Sequence, residues 1–119
     1  MQVQYEIPIL AAFGKPKDEP VAWVNSASFE DCVMLAFARG RARYDQKTIG
    51  RHAGLYPPHV SDIANGKRPL KAERVDALCW LTGCNAPRQW LDLQREALAF
   101  EADAYAKEIV YEQFKKAAA

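Results

Sequence analysis

The stretch DQKTIGRHAGLYPPHVSDIANGKRP, residues 45–69, decides the fold that the sequence predicts. Asp45 is a suitable N-cap, because its carboxylate can accept hydrogen bonds from the free amides of a first helical turn. Ile49 and Ala53 lie four residues apart and therefore on one helical face. Gly54 can end this helix with a positive φ, which glycine adopts easily. The first half of the stretch therefore predicts a short helix.

The second half of the stretch predicts another short helix after a tight turn. Pro57 and Pro58 can occupy its first turn, where a backbone amide would have no helical partner. Val60 and Ile63 lie three residues apart and should face inward, and Gly66 can end the helix. Gly50 on the first helix leaves room for another backbone to approach. Together the two halves predict a helix-turn-helix.

The same stretch resembles the lambda-repressor/Cro-like helix-turn-helix family position by position, without a gap. The match runs from the glutamine that opens the first helix to the Asn-Gly-Lys run that follows the second. The matching residues are Gln46, Ile49, Gly50, Gly54, Leu55, Val60, Ser61, Ile63, Asn65, Gly66 and Lys67. The resemblance covers roughly residues 29–98. It implies an all-α fold with a five-helix, lambda-repressor-like domain that binds double-stranded DNA.

The flanking sequences predict a three-part organisation. Residues 1–25 form an N-terminal arm, residues 26–98 the helix-turn-helix domain, and residues 99–119 a C-terminal helical extension. In the extension, Leu98, Ala102, Tyr105 and Ile109 follow helical spacing, and further aromatic residues lie elsewhere around the axis. Such a helix can pack back onto the domain or bind a second copy of the chain. We favour the second option and expect a homodimer.

The N-terminal arm is the least regular part of the sequence. Residues 2–7 alternate polar and apolar side chains, which is typical of a half-buried strand. Residues 21–24 could form a second strand of a short β-hairpin, or an extended anchor with the indole of Trp23 buried. We expect the arm to lie on the helical domain or on a partner subunit.

Charge is polarised along the chain although the net charge is only +1. Residues 39–74 hold nine basic and three acidic residues, a net +6, and the remainder holds seven basic and twelve acidic residues, a net −5. The positive window contains the helix-turn-helix stretch, as expected for a surface that binds phosphates. We find no run of about 18 apolar residues that could cross a membrane, and no secretory signal. We therefore expect a cytoplasmic protein.

The resemblance places the DNA contacts around the second helix. The positions that would read bases are Tyr56, Pro57, Pro58, His59, Ser61 and Asp62. By analogy with the family, Gln46 binds the DNA backbone, and Asn65, Lys67 and Arg68 hold phosphates beyond the second helix. Lys47, Arg43 and Arg51, with Arg41, would add affinity through counterion release. His59 and Asp62 could instead form a local surface pair.

Two departures from the family pattern keep a second function open. Pro57 and Pro58 stand at reading positions but cannot donate a hydrogen bond, although their rings could contact a thymine methyl group. The leading hypothesis is a sequence-specific transcriptional regulator of bacterial or phage type, a homodimer on a two-fold operator. The alternative is a protein-interaction module, antitoxin-like or a phage adaptor, that retains the helix-turn-helix as a scaffold.

The sequence contains no pattern that indicates an enzyme, a metal site or a cofactor. His52 and His59 fall on different predicted helices without an acid at ligand spacing. Cys32, Cys79 and Cys84 form no Cys-X-X-Cys pair. Cys32 and Cys79 lie on apolar faces and should be buried, whereas Cys84 follows a glycine and could be exposed.

Overall fold

The computed structural model describes residues 14–118, and its regular elements over that range are all helical. Two 3-10 turns, Pro57–His59 and Ala72–Arg74, lead directly into the fourth and fifth helices. The helices are α1 (Val21–Ser26), α2 (Phe29–Gly40), α3 (Gln46–His52), α4 (Val60–Ala64), α5 (Val75–Thr82) and α6 (Ala86–Ala118). The all-α prediction is confirmed for residues 14–118, which contain six helices: α1 in the predicted N-terminal arm, and α2 to α6, which begin within residues 26–98.

Local hydrogen bonds set the helix starts where the sequence predicts them. Ser28 and Asp31 form a capping box: the Ser28 hydroxyl accepts from the Asp31 amide, and the Asp31 carboxylate accepts from the Ser28 amide. The Asp45 carboxylate accepts from the Thr48 amide at 2.7 Å and begins α3. Gly54 follows α3 with φ of 75°. The predicted N-cap of α3 is therefore confirmed, and α2 begins with a cap of its own.

Helix α2 lies at the centre of the fold and contacts α3, α4, α5 and α6. Phe37 of α2 is fully buried together with Ile49 of α3 and Leu78 of α5. Burial of three large apolar side chains from three helices accounts for much of the attraction between those helices. These contacts fix the position of α3, and the buried Val60 and Ile63 fix that of α4; together these two helices hold the predicted site.

The three cysteines are reduced and buried in this core. Burial of Cys32 and Cys79 confirms their prediction, whereas the predicted exposure of Cys84 is wrong. Cys84 pairs with Lys17 in an isolated parallel bridge, and its thiol donates to Glu19 at 3.6 Å. The extended segment before α1 therefore covers it.

Residues 21–24 are helical, so the second strand and the extended anchor predicted there are both wrong. The Pro20 carbonyl accepts from the amides of Trp23 and Val24 and begins α1. A helix this short directs one residue inward, and that residue is Val24, which is fully buried, while Trp23 is exposed. The strand predicted over residues 2–7 lies outside the described residues.

The described part of the N-terminal arm lies on the helical domain. The Lys17 amide donates to the Gly83 carbonyl, and the Asn85 amide donates to the Lys17 carbonyl, both at 2.9 Å. Glu19 exchanges two hydrogen bonds with the side chain of Gln89. These contacts join residues 17–19 to the beginning of α6.

Helix α6 is continuous over 33 residues and crosses the boundary predicted between residues 98 and 99. Its first two turns pack on the domain, where the Trp90 indole donates to the Ala27 carbonyl at 3.1 Å and contacts the Phe29 ring. Residues 94–117, which we call the projecting segment, are all exposed. None of the helices in residues 14–118 is both long enough and apolar enough to span a membrane.

Candidate nucleic-acid interface

Helix α3, the turn after it, the 3-10 turn and α4 form a compact two-helix unit, residues 46–64. The Leu55 amide donates to the Gly50 carbonyl at 2.9 Å, and the Leu55 side chain is buried below the turn. A Cβ atom built on Gly50 would lie 2.5 Å from a methyl carbon of Val60. Glycine at this position therefore admits the Val60 side chain, not another backbone as predicted.

The start of the second helix is exposed. Tyr56, Pro57 and Pro58 lie at the surface, and Tyr56 exposes 63% of its area. Val60 and Ile63, which were predicted to face inward, are buried. Because Val60 and Ile63 pack inward, the 3-10 turn that precedes them is held at the surface and exposes Pro57 and Pro58.

The polar residues at the predicted reading positions have local contacts. The ring of His59 meets the Tyr56 ring edge-on, with centroids 4.7 Å apart. Asn65 donates weakly to the Ser61 hydroxyl at 3.4 Å. The half-buried Asp62 accepts from the Lys67 amide through its backbone carbonyl. His59 thus pairs with an aromatic ring at the exposed tip.

Four exposed basic side chains belong to the two-helix unit or follow it directly. Lys47 and Arg51 are exposed on α3, and Lys67 and Arg68 are exposed just after α4. Among residues 14–118, no acidic side chain forms a direct ion pair with any of these four. Their charges are therefore available to an anion in solution.

Two other arginines of the basic window, residues 39–74, have partners outside the two-helix unit. The guanidinium of Arg43, a predicted DNA contact, lies against Gly83, where a Cβ atom would come within 2.6 Å of it. Arg43 is half-buried there, at the turn between α5 and α6. Arg39 forms an ion pair with Glu19 at 3.1 Å. An acid from outside the window therefore offsets one of its nine positive charges.

For two arginines near the candidate interface, the sequence does not predict where the side chain lies. The guanidinium of Arg74 lies beside Gly54, 2.8 Å from where a Cβ atom would stand, at the turn inside the two-helix unit. Arg41 donates to the side chain of Gln46 at 3.4 Å, at the start of α3. Both belong to the basic window, but no spacing rule indicates where these long side chains reach.

The structure places Gln46 half-buried at the beginning of α3 and Asn65 exposed at the end of α4. Within the described residues, no group of three or more His, Cys, Asp or Glu side chains could hold a metal ion. Burial raises the pKa of Cys79 to about 12 and those of Cys32 and Cys84 to about 11. The thiols are therefore protonated and poorly nucleophilic near neutral pH.

Comparison of the chain with protein-family models, with curated proteins and with solved structures gives no match.

Proposed function

We propose that this chain is a sequence-specific DNA-binding transcriptional regulator that acts as a homodimer on a two-fold operator. The two-helix unit then serves as a lambda-repressor/Cro-like helix-turn-helix. One observation carries most of the support: the tip at Tyr56, Pro57 and Pro58 is exposed on a unit that also exposes basic side chains outside any direct ion pair, namely Lys47 and Arg51 on α3 and Lys67 and Arg68 directly after α4. An exposed helix start beside positive charge is suited to a DNA groove.

The second helix would enter the major groove by its starting end. The rings of Tyr56, Pro57 and Pro58 would present an apolar surface, which suits the methyl group of thymine. His59 and Ser61 would supply the polar contacts to base edges. Burial of Val60 and Ile63 fixes the backbone of the tip, so less of the chain has to be ordered on binding.

The DNA backbone would be held from both sides of the groove. Gln46 with Arg41 lies at the start of α3, and Lys67 with Arg68 follows α4. Contacts of this kind set the register of a protein on DNA without reading the sequence. Arg74 adds a further charge beside the turn at Gly54.

The test begins with the selection of bound duplexes from a random pool. The affinity of the protein for these duplexes is then measured by fluorescence anisotropy at several salt concentrations. Arg68→Ala should weaken binding to all duplexes and reduce the slope of log K against log salt by about 1. Arg88→Ala is the matched control, because Arg88 lies on α6 and pairs with Asp76 and Asp92. The Arg88→Ala variant should bind the duplexes with the same affinity as the wild-type protein.

A second variant separates base reading from phosphate binding. His59→Ala should change the preference among duplexes, because a lost base contact costs about 1–3 kcal/mol at one position only. Equal effects of His59→Ala and Arg68→Ala on selected and random DNA would contradict the assigned roles. Absence of any binding at about 50 mM salt, where nonspecific contacts are strong, would overturn the proposed function.

A protein-interaction module that uses the two-helix unit as a scaffold is the second candidate. Pro57 and Pro58 at the tip cannot donate hydrogen bonds, and the projecting segment exposes several aromatic side chains. A purified partner that binds with fixed stoichiometry after charge reversal at both Lys67 and Arg68 would favour this candidate. A chain that loses its selected duplexes on the same reversal would favour the regulator.

A further inference from the structure

The projecting segment carries an apolar stripe that nothing in the described chain covers. We propose that it pairs with the same segment of a second copy as an antiparallel two-helix dimer, with Leu98, Ala102, Tyr105 and Ile109 in the seam. The proposal rests on the proposed function only for the homodimer, whose interface it names. It does not require that the chain bind DNA.

The stripe has the spacing of a coiled-coil seam. Its four residues follow one another at intervals of four, three and four, as seam positions of a two-stranded coil do. All four are exposed in the single chain, with Leu98 at 65% and Tyr105 at 66%. A single helix therefore leaves the stripe in water, and a second helix is the simplest surface that removes it.

Charge disfavours packing of the projecting segment onto its own domain through the side of α6 that contains Trp90. The side of α6 that faces the domain contains Trp90, and residues eleven and eighteen positions further on repeat that side. Those residues are Glu101 and Glu108. The side of α6 that continues Trp90 is therefore acidic along the projecting segment, whereas the apolar stripe continues the side of Leu91, which packs against the core.

The charges at the ends of the stripe favour an antiparallel arrangement. An antiparallel pair centred between Ala102 and Tyr105 sets Arg95 of each copy opposite Glu112 of the other. A parallel pair instead sets Arg95 opposite Arg95 and Glu112 opposite Glu112, which places like charges together at the two ends of the seam. Electrostatic complementarity thus selects the antiparallel register.

The sizes of the seam residues fit the same register. Leu98 of one copy meets Ile109 of the other, and the small Ala102 meets the large Tyr105. Alternation of small and large side chains across a seam lets the two helices interdigitate. Glu101 and Glu108 lie along one flank, where solvent exposure lets salt screen their repulsion.

The opposite side of the projecting segment is less suited to a helix partner. Phe100 and Phe114 lie there, but an ion pair between Asp103 and Lys107, 3.1 Å long, stands between them. Burial of that pair would remove two charges from water. The stripe with Leu98 carries no charged residue between its first and last member.

The contact area predicts a dimer of moderate strength. Residues 95–112 span about 26 Å of helix at ~1.5 Å per residue. A pair of helices in contact over this length, with an aromatic residue from each copy, buries on the order of 1,000 Å² in total, the lower end for a specific interface. We therefore expect a monomer–dimer equilibrium that depends on concentration.

The first experiment is sedimentation equilibrium of the full chain over a range of concentrations. Tyr105→Glu should raise the dissociation constant of the dimer by about 100-fold, because it places a carboxylate in the seam. Phe100→Glu makes the same kind of change on the opposite side and should alter that constant by less than about threefold. A larger effect of Phe100→Glu than of Tyr105→Glu would overturn the proposed seam.

The second experiment tests the direction of the helices by oxidative cross-linking. A mixture of Leu98→Cys chains and Ile109→Cys chains should form a mixed disulfide, because these positions face each other only in the antiparallel pair. Leu98→Cys alone should not cross-link. The unchanged chain is the control for the three native cysteines, which are buried. Efficient cross-linking of Leu98→Cys alone would show a parallel pair and overturn the proposal.

The outcomes separate this proposal from DNA binding. A chain that stays monomeric at its highest soluble concentration, yet binds a selected duplex, overturns the dimer alone. If the dimer cross-links as expected but binds no duplex, the proposed DNA-binding function is contradicted and the proposed dimer interface is supported.

Discussion

The two-helix unit and the projecting segment are both exposed, but their helices are stable for opposite reasons. Helices α3 and α4 have seven and five residues, which is too short to be stable alone in water. They persist because Ile49 and Val60 are buried against the core. The projecting segment buries nothing in the single chain, but it is long, rich in alanine and free of glycine and proline.

Because their helices are stabilised in different ways, the two candidate surfaces can be altered independently. A change in the core should alter the shape of the DNA-binding candidate, because the core alone orients its short helices. The same change should leave the projecting segment helical, since local propensity and hydrogen bonds within the segment maintain it. The first of three predictions tests this contrast directly, and the other two test the packing and the cap that hold the two-helix unit.

The largest expected effect compares two isoleucines. Ile49→Ala should lower the free energy of unfolding by about 2–5 kcal/mol, because Ile49 is fully buried. Ile109→Ala should change it by no more than about 0.5 kcal/mol in dilute, monomeric protein, because Ile109 is 44% exposed. Urea unfolding followed by tryptophan fluorescence measures both. Equal losses would mean that the projecting segment is packed in the single chain.

A smaller effect is expected at Gly50. Replacement of a helical glycine by alanine usually stabilises a helix by about 1 kcal/mol. Gly50→Ala should instead destabilise the protein by about 1–3 kcal/mol, because the new methyl group would meet Val60 at 2.5 Å. The thermal unfolding midpoint measures the change. In the double variant with Val60→Ala the two losses should be less than additive, and full additivity would contradict the clash.

The smallest effect is a pH dependence at the start of α3. Hydrogen bonds from Thr48 hold the pKa of the Asp45 carboxyl below its ordinary value. A lowered folded-state pKa stabilises the protein above the unfolded pKa, and this contribution disappears as the pH falls through the folded pKa. Asp45→Ala should therefore lower the unfolding midpoint at pH 7, and the deficit should shrink as the pH falls below about 4.

Asp45→Asn is the control for that prediction. Asparagine caps a helix about as well as aspartate, and its side chain does not titrate. Asp45→Asn should lower the unfolding midpoint slightly at pH 7, because only the charge is lost. This loss should also shrink as the pH falls. A deficit of Asp45→Ala that stays constant down to about pH 2.5 would contradict the assignment of the cap to the ionised carboxylate.

Much of the local structure could be predicted because its causes lie within a few residues. Ser28 and Asp45 cap helices through side chains that reach only three residues ahead. Residues 21–24 were misassigned, because a short apolar run fits a strand or a helix equally well by periodicity. Their helix exists because Val24 reaches a core built from distant parts of the chain.

The helix caps, the turns at glycine and the apolar stripe of α6 follow from the sequence, because each depends on residues within a few positions of one another along the chain. Which cations stay available depends instead on contacts between distant parts of the fold. Arg39 pairs with Glu19, Arg43 lies against Gly83, and Arg68 stays exposed. A long basic side chain contacts whatever the fold brings beside it, and those partners lie too far away in sequence for any local pattern to predict.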